Sequence, residues 1–147
     1  MKILVPVDGS THSMEAVKTA VDFAKLKGAE VLVISVVPYI SGMEGHEISP
    51  SRRERHMEGY ARVCEDAVKE ACELLFKEGV TASCSKTILT SVSVPDAIIE
   101  FSENEKIDLI VMGSRGLSAS TRFKLGSVAS QVVKYSPCSI YLVKVTA

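Results

Sequence analysis

Short runs of apolar, often β-branched residues alternate along this chain with segments whose apolar residues repeat at helical spacing. The first two runs, 3–7 and 31–37, are continuously apolar, which indicates strands that are covered on both faces. The predicted strands are 3–7, 31–37, 80–89, 107–112 and 140–145, and the predicted helices end at Lys27 or span 51–77, 95–105 and 127–135. This order predicts right-handed parallel crossovers and a three-layer α/β/α sandwich around a five-stranded, mostly parallel sheet.

The length and charge of the chain limit its size class and its partners. A chain of 147 residues fits one domain, which we expect to span 1–147. The formal net charge of -1 provides no broad positive surface, so we expect neither a nucleic acid nor a membrane as a partner. No secretory signal is visible, and the longest uncharged stretch, 31–43, is too short to cross a bilayer. We therefore expect a cytoplasmic protein.

The cysteines offer no metal site. Cys64, Cys72, Cys84 and Cys138 form no C-x-x-C pair, and no histidine stands at zinc-ligand spacing beside them. Cys64 and Cys72 are about two helical turns apart and are expected to face one side of their helix as small apolar residues. We expect free, mostly buried thiols and no metal bound directly by the protein.

Glycine and serine residues follow the fourth predicted strand, at the edge where open α/β sheets bind ligands. The sequence there is Gly113, Ser114, Arg115 and Gly116, and Gly126 and Ser127 then open the last helix. Glycine lets the backbone approach an anion closely and adopt positive φ, and a helix start adds unpaired amides and the positive end of its dipole. Arg115, Arg122 and Lys124 supply positive charge nearby. A phosphate site and an ordinary loop with turn glycines and a serine cap both fit this spacing.

Asp8 follows the first strand at the same predicted edge of the sheet. Its carboxylate could accept a hydrogen bond from a ribose hydroxyl or help to hold a metal–phosphate group. It could equally bond backbone amides ahead of the first helix, as Asp-Gly turns commonly do. Both interpretations stay open. For the nearby His12 we expect an exposed first-turn position rather than a place in the site.

The spacing G-x2-G-x9-G-[ST], present as Gly113, Gly116, Gly126 and Ser127, resembles the ATP-binding pattern of the universal stress protein family. The segments 3–10, 107–116 and 125–128 also resemble that family, so the likeness covers essentially the whole chain. It implies a Rossmann-like, adenine nucleotide alpha hydrolase-like fold and an ATP-binding, nucleotide-responsive regulator of a stress response. It also implies protein partners that read the nucleotide state, and a homodimer formed through Ile140, Tyr141, Leu142 and Val143 of the last strand.

The resemblance also implies a role for each matching residue. Pro6, Val7 and Asp8 would border the adenine and ribose, with Asp8 on the ribose, and Val36 would offer its backbone to the adenine edge. Met112, Gly113, Ser114, Arg115 and Gly116 would line the ribose–phosphate path, and Gly126, Ser127 and Val128 would hold the phosphates. The implied ligand is ATP, or AMP or ADP, with Mg²⁺ carried on the phosphates. Ser35, Ser93 and Ser139 depart from the family, where His, Gly and Pro are common.

Two other functions stay open beside a nucleotide-binding regulator. A slow ATP hydrolase is one, although the chain contains no G-x-x-x-x-G-K-[ST] string and none of its three histidines is near the glycine loop in sequence. A scaffold of the same fold that binds no nucleotide is the other. The complete glycine motif favours binding, and we assign no catalytic residue.

Overall fold

The structure is a computed structural model that describes residues 1–38, 50–116 and 125–145; of the side chains at 50–57, it describes only that of Arg55. Most of the predicted loop at 38–50 lies outside the described residues, as do Arg122 and Lys124. The strands are β1 (Lys2–Pro6), β2 (Glu30–Pro38), β3 (Ala82–Thr90), β4 (Leu109–Gly113) and β5 (Ser139–Val143). The helices are α1 (Thr11–Lys27), α2 (Pro50–Lys77), α3 (Val94–Asn104) and α4 (Ser127–Tyr135).

The five strands form one sheet in the order β3-β2-β1-β4-β5, and every neighbouring pair is parallel. The predicted α/β fold class is confirmed. Strand β3 lies at an edge of the sheet, and every residue along it is exposed or half-buried. The chain first builds outward from β1 to β3 and then crosses back to β4 on the other side of β1. The order therefore reverses between β1 and β4, which is where open α/β sheets form their ligand crevice.

Alternate side chains of the central strands point into two separate apolar layers, because successive residues of a strand face opposite sides of the sheet. On one side, Val31 and Val33 pack with α1 and α2; on the other, Leu32 and Ile34 pack with α3 and α4. These strand residues are at most 2% exposed. Coverage of both faces explains why β1 and β2 read as continuous apolar runs rather than as alternating ones.

Helix α1 has a capping residue at each end. Ser10 accepts a hydrogen bond from the N–H of Ser13 at 3.1 Å, and Gly28 ends the helix in the left-handed region at φ 63°. Leu26 does not continue the inward apolar stripe of this helix, since its side chain is 82% exposed. Leu26 lies two residues after Ala24, so 200° of helical rotation carries it to the outer face.

No helix in the three described ranges combines the length and apolar character that crossing a bilayer requires.

Candidate functional site

A cleft opens at the carboxyl ends of the strands, at the point where the strand order reverses. Eleven of the twelve residues implied by the resemblance line it: Pro6, Val7, Asp8, Val36, Met112, Gly113, Arg115, Gly116, Gly126, Ser127 and Val128. Its other lining residues are Ser13, Tyr60, Val94, Ile98 and Ala129. Segments that are remote in sequence thus meet in one cavity because parallel strands end at the same edge of the sheet.

Asp8 links the end of β1 to the loop after β4. Its Oδ1 accepts a hydrogen bond from the N–H of Ser10 at 2.9 Å, so the local turn interpretation of Asp8 is correct as far as this oxygen goes. Its Oδ2 points toward Gly116, where an added Cβ atom would lie only 2.6 Å away. A carboxylate offers about four lone-pair positions. The turn therefore orients the group and leaves acceptor capacity on the side of the cleft.

The motif glycines are required by close packing and not by backbone conformation. Among the described residues, the glycines at positive φ are Gly9, Gly28 and Gly79, and none of them belongs to the motif. A Cβ atom on Gly113 would lie 2.7 Å from the Cβ of His12 and 2.8 Å from its carbonyl carbon, in the first turn of α1. One on Gly126 would lie 3.2 Å from the Cα of Arg115. The absence of side chains lets α1, the loop after β4 and the start of α4 approach one another.

The N-terminus of α4 faces the cleft without a side-chain cap. Gly126 is the N-cap residue, in extended conformation at φ −72° and ψ 165°, and it makes no side-chain capping hydrogen bond. Its own N–H donates to the carbonyl of Ser114 at 2.7 Å, which fixes the helix start against the loop. The first amides of a helix have no partner within the helix. The donors at this end, together with the positive end of the helix dipole, are therefore available to an anion in the cleft.

Ser114 and Arg115 lie differently although they are adjacent. Ser114 is 1% exposed and is not among the residues that line the cleft; its N–H donates to the carbonyl of Val143 at 2.9 Å. Its backbone thus ties β4 to β5 and to α4, and its role on a phosphate path stays a prediction. Arg115 is half-buried and lines the cleft, and its Cα lies close to Gly126 at the start of α4.

Tyr60 of α2 lines the cleft, and sequence reasoning missed it. In sequence it falls within the apolar pattern of its helix, where an aromatic side chain usually indicates core. Burial raises the pKa of its phenol, and the nearby Cys64 and Asp8 act in the same direction. The phenol therefore stays protonated and can donate a hydrogen bond. Its position on the first half of the long second helix, which passes the ends of β1 and β2, was the available signal.

Two residues that departed from the family pattern have structural explanations. Ser35 is 1% exposed and lies on the face of β2 opposite to that of Val36, so this departure does not alter the lining of the cleft. Ser93 caps α3, and its Oγ accepts a hydrogen bond from the N–H of Asp96 at 3.3 Å.

The expectation of an exposed His12 is wrong. The packing of Gly113 against the first turn of α1 leaves His12 half-buried, and its Nδ1 is buried without a hydrogen-bond partner among the described residues. The residue is not part of the cleft lining. Across the described ranges, no three His, Cys, Asp or Glu residues are grouped so that they could hold a metal ion.

Comparisons with known proteins agree with this architecture. A sequence profile of the universal stress protein family matches residues 1–144. The universal stress protein MJ0531 of Methanocaldococcus jannaschii is 39% identical over 153 aligned residues, covering 97% of this chain and 81% of that protein. The structure of universal stress protein UspA from Lactobacillus plantarum superimposes with a TM-score of 0.82 at 24% identity, covering 98% of this chain and 97% of the other. That of a universal stress protein from Archaeoglobus fulgidus in complex with dAMP gives 0.68 at 23% identity, covering 98% of each.

Proposed function

The chain belongs to the universal stress protein family, and we propose that it binds an adenine nucleotide in the cleft and regulates a stress response through its nucleotide-bound state. The observation that carries the proposal is the uncapped start of α4, which faces an apolar cleft at the reversal of the strand order. The dAMP complex of the Archaeoglobus fulgidus relative supports the same class of ligand.

Apolar side chains and one carboxylate suit the nucleoside part of this ligand. Val36 of β2, Ile98 of α3 and Val128 of α4 line the cleft from three elements, and a flat base packs well against such walls. Asp8 is half-buried, and its orientation is fixed by Ser10. A carboxylate held in this way accepts hydrogen bonds from ribose hydroxyls, because both partners exchange water for a preorganised contact.

The phosphate part fits the other end of the cleft. Amides at the start of α4, the hydroxyl of Ser127 and the charge of Arg115 all lie along the lining. A helix N-terminus favours a negative group by about 0.3–1 kcal/mol at exposed positions and by up to about 2 kcal/mol where it is partly buried. We propose ATP as the physiological ligand, with AMP and ADP as weaker alternatives.

A magnesium ion would reach this site on the phosphates and not on a protein cage. Asp8 is the one carboxylate among the described residues that line the cleft, and Mg²⁺ in nucleotide sites commonly has one or two carboxylates plus phosphate oxygens and water. The residues present fit that arrangement. The ion would then be coordinated by phosphate oxygens and water, without a direct bond to Asp8, whose proposed partner is the ribose.

The proposal extends to assembly and location. We propose one domain over 1–147, a cytoplasmic site of action, partner proteins that read the nucleotide state, and a homodimer through β5. Strand β5 is at an edge of the sheet, and its Tyr141 is 46% exposed while its ring packs edge-on against Phe23 at 5.5 Å between centroids. An open strand edge with an exposed aromatic residue supports this choice of interface.

A substitution at the first residue of α4 tests the site without harming the fold. Ser127 is exposed, and Ser127→Asp places a negative charge where the helix dipole favours it, so the fold should be retained or slightly stabilised. The same charge repels a phosphate. We expect calorimetry to show an affinity for ATP and AMP lower by about tenfold or more, and an unchanged affinity for adenosine.

Ser127→Asn is the matched control, because it has nearly the same shape without the charge and should bind ATP within about threefold of the wild type. Unchanged ATP and AMP affinity in a folded Ser127→Asp protein would contradict the assigned phosphate position. Steady accumulation of ADP from added ATP would favour a hydrolase over a regulator, and the absence of any nucleotide binding by the wild type would favour a scaffold.

A further inference from the structure

Four charged side chains of alternating sign form one ridge on the outer face of α2. Glu65, Lys69, Glu73 and Lys77 are all exposed and are spaced four residues apart, so each lies beside the next along the helix surface. In the described part of the chain, side-chain ion pairs join Glu15 to Lys18 and Lys25 to Glu78, and none joins these four residues to one another. The ridge therefore offers its charges to solvent or to another molecule.

An apolar groove runs beside the ridge, between α2 and the edge strand β3. Val68, Cys72 and Phe76 of α2 contribute to its lining, and the side chain of Phe76 is 74% exposed. The groove has a volume of about 680 Å³, against about 220 Å³ for the cleft, and it is wide open to solvent. Such a shape fits the side chains of another protein better than it fits a small molecule. An exposed large apolar residue beside an unpaired sheet edge also favours a protein contact.

The charge ridge is complementary to itself under a two-fold axis. When two copies of α2 lie antiparallel about an axis level with Ala71, Lys69 of each copy meets Glu73 of the other, because these two residues lie nearest the middle of the ridge. Two-fold symmetry repeats the contact, so two pairs of opposite charge form. A shift of one helical turn would instead set Glu73 against its own counterpart. The alternation thus favours one register and disfavours its neighbour.

We propose that the ridge and groove together, called here the α2–β3 surface, bind a second copy of this chain in an isologous interface. The same antiparallel arrangement brings the exposed ring of Phe76 against the second copy and covers it. It also brings Cys72 close to its own counterpart near the axis. The apolar groove supplies the contact area, and the charged ridge sets the orientation and register.

This interface is independent of the dimer proposed through β5. Strands β3 and β5 are the two opposite edges of the sheet, so one copy can use both surfaces at once. Two different isologous interfaces on one chain lead to assemblies larger than a dimer. The two interfaces can therefore be tested separately, each by a substitution that leaves the other unchanged.

Charge reversal followed by charge exchange tests the α2–β3 surface. Lys69→Glu creates two repulsive contacts across the axis and should weaken the association measured by sedimentation by about tenfold or more. Lys69→Glu combined with Glu73→Lys restores opposite charges in both contacts and should return the association constant to within about threefold of the wild type. Lys69→Glu also places a negative charge beside Glu65 within the helix, and the double variant keeps this repulsion. Recovery of association in the double variant would therefore exclude loss of folding as the cause.

Lys27→Glu is the matched control: it makes the same change of charge at an exposed residue of α1 and should leave the association unchanged. A short bismaleimide should also link two wild-type copies through Cys72, and Cys72→Ser should abolish that product. A wild type that stays monomeric, or a dimer that is insensitive to Lys69→Glu and forms no link through Cys72, would overturn the inference. The insensitive dimer would leave the β5 proposal and nucleotide binding untouched.

Discussion

An added Cβ atom at Gly116 would meet the end of the Asp8 side chain at 2.6 Å, whereas one at Gly113 would meet the Cβ and carbonyl carbon of His12. The carboxylate of Asp8 can rotate away, but the first turn of α1 cannot yield without moving the helix. We therefore expect the free energy of unfolding of Gly116→Ala to stay within about 1 kcal/mol of the wild-type value. That of Gly113→Ala should fall by about 1–3 kcal/mol because of overpacking. Urea denaturation measures both values.

Gly116→Ala, which should cost less stability than Gly113→Ala, should have the larger effect on nucleotide affinity. Displacement of Asp8 in Gly116→Ala should weaken ATP and AMP by a similar factor, because the ribose is common to both. Selective loss of ATP in calorimetry would instead indicate that Asp8 acts on a metal–phosphate group. A Gly116→Ala protein that binds both nucleotides as the wild type does would contradict a role for Asp8 in the cleft.

The positions of most cleft residues were predictable from the sequence, but the reasons for them were not. The reversal point and the strand ends follow from the βαβ order, so Asp8 and Gly126 could be assigned to one edge. Close approaches between remote segments, such as Gly113 against His12, depend on helix–sheet distances that no local pattern encodes. Tyr60 was missed for the same reason, since an apolar stripe does not show where a helix passes the mouth of a cleft.

Replacement of glycine by alanine should lower stability at the end of a helix and raise it in the interior of a helix. Gly28 ends α1 at φ 63°, and Gly59 lies within α2; an added Cβ would meet nothing within 4 Å at either position. Only backbone conformation then matters. We expect Gly28→Ala to lose about 1 kcal/mol because an L-residue resists the left-handed region, and Gly59→Ala to gain about 0.5–1 kcal/mol.

The midpoints of urea unfolding curves measure this difference, since substitutions that leave the m-value unchanged report stability directly. If both variants changed the free energy of unfolding in the same direction, side-chain contacts and not backbone conformation would determine the effect. Gly28→Asn offers a further check, because asparagine tolerates the left-handed region better than alanine and should lose less stability.

Element ends marked by specific capping residues were predicted more closely than ends marked by apolar pattern alone. Helix α4 begins at Ser127 and ends at Tyr135 as predicted, between Gly126 and a proline two residues beyond its end. Strand β4 begins two residues later than its apolar run, because Ile107 and Asp108 still belong to the approach from α3.

Stability of the whole molecule should fall in alkaline solution. Burial raises the pKa of the Cys64 thiol above its ordinary value of 9.0; the hydroxyl of Ser35 opposes this effect, and the nearby charges of Asp8 and Glu65 add to it. The folded protein therefore holds this proton more tightly than the unfolded chain does. The resulting stability is fully present below the pKa of the unfolded chain and is lost as the pH rises through the folded pKa. Tyr60, with a raised pKa as well, acts in the same direction at higher pH.

Unfolding in urea at a series of pH values from about 7 to about 10 tests this expectation. Cys64→Ala should lose less free energy of unfolding over that range than the wild type does. Cys84→Ala is the control, and it should keep the alkaline loss because Cys64 is still present. An identical slope in Cys64→Ala and the wild type would assign the loss to other groups.

The central place of β1 has a consequence for how the chain is made. The strand is synthesised before the other four strands, but one of its two neighbours, β4, comes far later: the N–H of Lys2 donates to Oδ2 of Asp108, 106 residues away. A ribosome that adds about 5–20 residues per second needs about 5–20 seconds to cover that distance. During this interval the edge of β1 that later pairs with β4 stays unpaired. We therefore expect nascent chains to depend on chaperones until the last third has been translated.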